Sequence, residues 1–511
     1  MTQSPPPMHL MRTLWMLFLT CAVSAQAQTV STNNPRPITL EEAITLALQH
    51  NFDVQIQRFD PEIARYSLSI NYGAYDPVFF AQGLHRYSLS PGGIDAQARP
   101  FQGSEADSDE FITSLSGVLP TGLNYQLSGR ASDQYGTRPD LITGGRTPFE
   151  NATANAAAAT LTQPLLRNFW IDTPRANIYI SKNRLKYSEQ ALRFLLMRTV
   201  NLVEQAYYNL IFARENVKVQ EAAVLSADRL VQENKKKVEV GAMAPLDERS
   251  AEAQASGSRA QLIDAQRALE QQENILKNLI TDKYVEWHDV NVVPAENLVA
   301  VPEVLNLQQS WQTGMKLRPD LAQARLDLER SDILVKLDFN QLFPSLDVVG
   351  QYGYQGSGPE FAGALGNIRD TENPFWYYGA QIRYPIGSRV ERNNYKTSKA
   401  QRKQAELLMK QKEQTVLVEI DDAVKQIRSS FERIGATRDA RLFAESALDA
   451  EQKKLENGKS TSYEVLLKQR DLTRARFDEI QALAEYNIAV AQLAFREGTT
   501  LDRHKLNVQV K

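Results

Sequence analysis

Two short stretches decide how this chain is read: Gly241-Ala242-Met243-Ala244-Pro245 and, 217 residues later, Gly458-Lys459-Ser460-Thr461-Ser462. Each closes a proline-free helical run. From Arg175 to Ala244 there is no proline and the only glycine is Gly241, and from Ser388 to the carboxyl end there is no proline at all. At 1.5 Å rise per residue, a helix from Arg175 to Val240, or from Ser388 to Asn457, is roughly 100 Å long. Glycine beyond a helix end and proline at the next helix start fit the capping asymmetry of helices. Each stretch is therefore a tip at which a very long helix reverses into a second. Leu196, Val200, Val203, Tyr207 and Leu210 alternate in steps of four and three, the seam spacing of a coiled coil. Small residues on the returning arms (Ala251, Ala253 and Ala255; Ala482, Ala484, Ala489, Ala491 and Ala494) permit close packing.

Outward from the tips, the second half repeats the first. Ala206 falls on Ala423, and Asp247 on Glu464, at the offset of the glycines. Pro164 falls on Pro385 at an offset of 221, whereas Pro77, Asp53 and Asp60 fall on Pro344, Asp320 and Asp327 at 267. The first unit thus carries a 46-residue insertion between its proline landmarks. The expected organisation is a first repeat over 28–281, a linker over 282–316 holding Trp287, Pro294, Pro302 and Trp311, and a second repeat over 317–511.

Ahead of each long helix lie alternating segments. Leu346, Val348, Gly350, Tyr352 and Tyr354 occupy one parity of 344–354, and Trp376, Tyr378, Ala380, Ile382 and Tyr384 one parity of 375–385. Their counterparts are 77–87, with Phe79, Gln82 and Tyr87, and an alanine-rich 153–163. Segments of this length cross a bilayer as tilted strands, and their aromatics suit interfacial belts. Within the insertion, 111–119 and 123–131 also alternate about the tight turn Pro120-Thr121-Gly122, flanked by long polar stretches. This inserted hairpin over 111–131 either adds two barrel strands, giving six in the chain, or stands above the barrel mouth. A plain four-helix bundle leaves the strands unexplained, and a soluble sandwich leaves the long helices unexplained.

Residues 1–27 read as a secretory signal peptide: Arg12 precedes an apolar run ending in Ala25-Gln26-Ala27. The only cysteine, Cys21, lies in it, so the mature chain carries no disulfide and depends on packing and assembly. A net charge of −3 argues against nucleic acid as partner. His50, His85, His288 and His504 show no metal-ligand spacing, Gly458-Lys459-Ser460 lacks the first glycine of a phosphate loop, and Gly356-Ser357-Gly358 lacks the spacing of a nucleophile elbow. No catalytic, cofactor or metal site is expected.

Thr39-Leu40-Glu41-Glu42-Ala43, Leu161-Thr162-Gln163-Pro164, Val203-Glu204-Gln205-Ala206-Tyr207-Tyr208 and the two glycine turns, in this order, make the chain resemble the TolC-like outer-membrane efflux proteins over nearly its whole mature length. The resemblance implies a mixed fold of long α-helical coiled-coil hairpins and membrane β-barrel strands, in a homotrimer sharing one barrel and one periplasmic tunnel. A lone subunit with four or six strands could not close a barrel, so oligomerisation follows from its open edges too. The resemblance further implies outer-membrane lipid, a periplasmic adaptor and an inner-membrane pump as partners, and a passive exit duct as function. A periplasmic coiled-coil adaptor or scaffold is the competing reading, and it needs no lipid-facing strands.

Such proteins close their periplasmic end with acidic rings and tip contacts just past each glycine turn. Carried over by position, Asp247 and Glu464 are the gate candidates, and Gly241, Pro245, Gly458, Ser460 and Thr461 form the tips. Leu467 stands where a second acid would lie and Ser460 where an arginine tethers the closed state. Asp247 and Glu464 equally suit the positive ends of their helices. Lys235, Lys236, Lys237, Lys453, Lys454 and Lys459 suit the negative ends, or an adaptor contact.

Overall fold

Helix length is set by what interrupts a helix, and in this chain very little does. The computed structural model describes residues 35–140, 142–143 and 145–506, so the signal-peptide reading and Cys21 lie outside the described residues. After β1 (Pro35–Ile38) come α1 (Leu40–His50) and α2 (Phe52–Tyr72), then β2 (Val78–Ser90), the short pair β3 (Gly93–Ile94) and β4 (Pro100–Phe101), β5 (Ser104–Val118), β6 (Asn124–Pro139) and β7 (Arg146–Pro164). The first hairpin is α3 (Thr173–Glu239, 67 residues) and α4 (Pro245–Ile280). The connecting region holds α5 (Tyr284–Trp287) and β8 (Asn291–Pro294), and α6 (Leu307–Leu317) and α7 (Pro319–Asn340) open the second unit. It continues with β9 (Ser345–Gly358), α8 (Phe361–Arg369), β10 (Pro374–Arg383) and the hairpin α9 (Arg389–Glu456, 68 residues) and α10 (Ser462–Glu497), closed by α11 (Thr500–Arg503).

The heptad residues are the core. Leu196, Val200, Val203, Tyr207 and Leu210 of α3 are all buried, packed with Ile44 and Ala47 of α1 and Leu276 and Ile280 of α4. A second core joins Val416, Ile420, Val424 and Ile427 of α9 to Ala482, Tyr486 and Ala489 of α10. Each alanine anticipated on the returning arms is buried except Ala253, because two residues round a helix from Ala251 and Ala255 is the opposite face. The connecting region is strapped across both cores. β8 pairs parallel with β1. The Tyr207 hydroxyl donates to Ile38 O (3.0 Å) and accepts from Ala295 N (3.2 Å), the Tyr486 hydroxyl donates to Val301 O, and Trp311 Nε1 donates to Leu417 O (3.1 Å). The parallel pair escaped the sequence reading because four-residue strands carry almost no periodicity.

The strands form one antiparallel sheet in the order β10-β9-β7-β6-β5-β2. The inserted hairpin is therefore inside the sheet, and its strands run well past the 111–131 anticipated, to Ser104 and Pro139. Register aligns Phe79, Leu115, Leu127, Ala159, Tyr352 and Trp376 in one row across all six strands. The adjacent row, facing the other way, is Val78, Ser116, Gln126, Thr160, Gln351 and Tyr377. One face is thus charge-free from Leu346 up to Gly356, and the other is rich in serine, threonine and glutamine. Ten residues of tilted strand make that apolar band roughly 25 Å tall, the height of an outer-membrane lipid belt. Above it the same face turns polar, with His85 Nδ1 on Asp109 (2.8 Å) and Asp133 beside them in register. Trp376 and Tyr378 stack at 5.9 Å on the apolar side. A sheet so patterned is not what a soluble adaptor needs, and the scaffold reading falls with it.

The turn between β5 and β6 is tight, with Gly122 N donating to Leu119 O (2.8 Å), whereas the β2–β5 and β9–β10 connections at the other end run over 91–103 and 359–373. Short turns toward the helices and long loops away from them are the polarity of an outer-membrane sheet.

Candidate periplasmic gate

The two tips are built by the same backbone device. Gly241, at φ 72°, donates to Val238 O (3.0 Å) while Ala242 N donates to Lys237 O (2.7 Å). Gly458, at φ 69°, donates to Leu455 O (3.1 Å) while Lys459 N donates to Lys454 O (2.8 Å). Both are Schellman closures, and the left-handed conformation is why each position holds glycine. The helices that follow start differently. Pro245 occupies the first turn of α4 and Ala244 offers no capping side chain, whereas Thr461 Oγ1 accepts from Glu464 N (3.4 Å) at the start of α10.

Asp247 and Glu464 occupy equivalent places in those first turns. Among the described residues neither carboxylate has a side-chain hydrogen bond or ion pair; Asp247 is partly exposed and Glu464 exposed. One position before them stand Leu246 and Tyr463, 75% and 64% exposed, so each tip presents an apolar side chain next to an unpaired acid. Isolated apolar residues carry no signal in a sequence, and these two were missed.

Two further residues were missed, again at equivalent positions. Asn234 of α3 is fully buried; its amide donates to Asp247 O (3.3 Å) and its carbonyl accepts from Ser462 Oγ (2.9 Å), joining the first hairpin to the second. Its counterpart Glu451 of α9 instead accepts from Ser460 Oγ and from Lys454 Nζ (2.9 Å), both in its own hairpin. The Ser460 hydroxyl and then Lys454 hold the Glu451 carboxyl below its ordinary range. Ser460, expected where other proteins tether the closed state, thus ties down its own turn. The buried cluster of Leu230, Val465 and Leu466, with Leu448 and Leu455 against it, backs both contacts. Leu467 is exposed and lines a cavity of about 550 Å³ between the hairpins, with Ala223, Ser258, Arg470 and Arg474. Of the basic residues, Lys453 pairs with Asp449 (2.7 Å) and Lys454 with Glu451, while Lys236 and Lys237 lie in the last turn of α3 as the dipole argument asks.

Comparison with known proteins gives the same picture over most of the chain. The family model of outer membrane efflux proteins matches residues 121–281 and 313–499. The chain is 24% identical over 405 residues to the cobalt-zinc-cadmium resistance protein CzcC of Cupriavidus metallidurans, covering 75% of this chain and 87% of that one. It is 22% identical over 415 residues to the outer membrane protein TolC of Vibrio cholerae, covering 79% and 87%. In fold it is similar to the crystal structure of the CmeC outer membrane channel of Campylobacter jejuni, with a TM-score of 0.64 at 17% identity over 90% of this chain and 86% of that one.

Proposed function

This chain belongs to the outer membrane efflux protein family, an outer-membrane channel with a periplasmic tunnel, and from that premise we propose that it is the passive exit duct of a tripartite efflux or secretion assembly. It works as a homotrimer. An inner-membrane pump supplies the energy, and a periplasmic adaptor couples that pump to the helical end. The observation that carries the reading is one continuous path: a sheet with a charge-free face and a polar face runs directly into helices of 67 and 68 residues, the first arms of the two hairpins. An apolar outer wall, a hydrated inner wall and a tube roughly 100 Å deep are what a conduit across outer membrane and periplasm requires.

The gate lies at the tips. Opening separates the hairpins near Gly241 and Gly458, and unpaired Asp247 and Glu464, repeated by threefold symmetry, put acids around the throat. Carboxylates converging on a narrow, water-filled constriction favour cations. Planar-bilayer recording of purified trimers tests this. Wild type is expected to give small cation-selective openings, and Asp247→Ala/Glu464→Ala to lose that selectivity. Unchanged selectivity in the double variant returns both acids to the role of helix-end charges, and well-folded trimers that conduct nothing remove the conduit itself.

A further inference from the structure

Where the sheet meets the helices, its lipid-facing side runs on into a row of aromatic rings. Ile382 and Tyr384 keep the parity of Trp376 and Tyr378, and they line one shallow hollow with Phe339 and Phe343. Phe343 meets Phe339 edge-on at 5.5 Å and Trp170 at 5.6 Å, and Tyr395 of α9 lies against Phe339 at 5.7 Å. The row therefore crosses from α9 to the junction of β7 and α3, at the level where the apolar band ends. Rings at such a level suit the boundary between hydrocarbon and headgroups.

Directly below the row lies a groove of about 620 Å³ between α3 and α7. Trp170, Tyr179 and Phe339, each between 45% and 51% exposed, line it over Ile171 and Ile333. Its charged lining is Lys182 and Lys186 of α3 and Lys336 of α7, against a single acid, Glu329. The three lysines are exposed, and none has a carboxylate partner among the described residues. Lys182 lies over the Tyr72 ring at 5.8 Å, a contact that leaves its N–H donors unused. Asn183 also lines the groove, but its amide is already committed to Leu326 O (3.1 Å). At 1.5 Å per residue, Lys182 and Lys186 stand roughly 14 and 20 Å down from the start of α3, and Lys336 roughly 6 Å from the end of α7. Their long stems can lift the ammonium groups toward the rings.

Lysines on exposed helix faces are ordinarily just solvated. These three differ because they converge on one groove whose other walls are half-exposed rings continuous with a lipid-facing surface. α3 and α7 are also the inner pair of the row α2-α3-α7-α9, each packed on a helix to either side, so the groove lies away from the flanks of the subunit. An occupant has to offer apolar chains to the band above and negative charge to the lysines below. A free phosphate leaves the rings unused, and a neutral lipid leaves the surplus of cations over Glu329 unmatched. A basic pocket between helices at a membrane surface is how anionic headgroups are held.

We propose that the groove between α3 and α7 holds one anionic phospholipid of the periplasmic leaflet, its headgroup among Lys182, Lys186 and Lys336 and its acyl chains rising past Trp170, Phe339 and Phe343 onto the lipid-facing strands. A lipid held there pins the junction of sheet and helices to the leaflet surface. The site rests on the outer-membrane placement of the sheet and is independent of the gate.

Native mass spectrometry of the full-length protein, released from micelles holding equal amounts of phosphatidylglycerol and phosphatidylcholine with the same chains, tests it. One phosphatidylglycerol per subunit is expected, retained at least about tenfold over phosphatidylcholine, since each lysine near a headgroup is worth about fivefold. Lys182→Gln/Lys186→Gln/Lys336→Gln, which alters only exposed side chains, is expected to abolish the preference, and the same charge change at Lys235, Lys236 and Lys237 to leave it intact. Equal retention of the two lipids by wild type overturns the inference. So does a preference that survives the first triple variant, one that falls equally in the second, or release of the lipid by millimolar inorganic phosphate alone. Quenching of Trp170 fluorescence by chain-brominated phosphatidylglycerol in nanodiscs, in a Trp376→Phe background, places the lipid; quenching no stronger than by brominated phosphatidylcholine overturns the site. Wild-type protein whose Trp376 is quenched by neither lipid overturns the membrane placement of the sheet itself, a failure distinct from that of the site.

Discussion

Asn234 and Glu451 stand at the same position of the two repeats, about two helical turns before the glycine of each tip, and do opposite things. Asn234 is neutral and buried, and it reaches across to Ser462 of the other hairpin. Glu451 is charged and spends its hydrogen bonds on Ser460 and Lys454 of its own. Equivalent backbone geometry thus supports one contact that resists separation of the hairpins and one that is indifferent to it. The same division recurs at the other end of the repeats. Asn51, between α1 and α2, caps Val54 N (3.3 Å) and donates to Leu279 O (3.2 Å) as a neutral buried group. Its counterpart Arg318 is buried in an ionic knot, with Asp320 at 2.6 Å, Glu419 at 2.6 Å, and Lys412 on Asp320 at 2.8 Å. The hairpins follow suit: Arg441 bridges to Glu479 and Arg476 to Glu445 (2.9 Å) between α9 and α10, where α3 and α4 share only Asp228–Arg259 (2.8 Å). Duplication fixed the frame, and at these equivalent positions the first copy uses neutral ties and the second charge.

The largest expected effect lies at the joints. Arg318→Ala leaves buried Asp320 with Lys412 alone and part-buried Glu419 with Arg496 alone and is expected to destabilise by about 3 kcal/mol, against about 1 kcal/mol for Asn51→Ala; chemical denaturation of both variants measures the gap, and equal losses would erase the contrast between repeats. Next is the tie between hairpins. Asn234→Ala leaves Ser462 and the Asp247 carbonyl buried without their partner, an expected loss of about 1–3 kcal/mol together with more frequent channel opening, whereas Glu451→Gln should leave opening frequency unchanged; single-channel recording separates them.

The third prediction concerns acid. Burial works against the charge of Asp320, yet Arg318 and Lys412 hold its carboxyl at about 2. Because folding lowers this pKa, the stabilisation is complete above the unfolded value near 4 and drains away as pH falls from there toward about 2. Screened by partial solvent access, it amounts to about 1–2 kcal/mol. Asp320→Asn should flatten the stability profile in that window, and an unaltered slope in acid titration would refute the assignment. The smallest effect is at the tip caps. Thr461→Ala is expected to raise amide exchange at the start of α10 by the equivalent of about 1 kcal/mol, and Ala244→Thr to slow it at the start of α4 by a similar or smaller amount; hydrogen exchange by mass spectrometry reads both.

What the sequence determined by itself was whatever is local or periodic. Glycines at 241 and 458 announced left-handed helix ends, Leu196 to Leu210 a seam, Leu346 to Tyr354 and Trp376 to Ile382 the outward face, and the proline offsets the duplication, because each depends on residues within a few positions or on a repeat that the chain carries whole. The acids at 247 and 464 were legible as helix-start residues for the same reason. Partner choice across the chain was decided only by tertiary structure. Nothing near residues 104–139 says that the hairpin is inserted between β2 and β7, nothing near Asn234 that it meets Ser462, and nothing near Arg318 that Glu419 and Lys412 close around it. Those contacts join residues tens to hundreds of positions apart, and their energy, from edge hydrogen bonds and the relief of buried polar groups, exists only once the strands and hairpins have already been brought side by side.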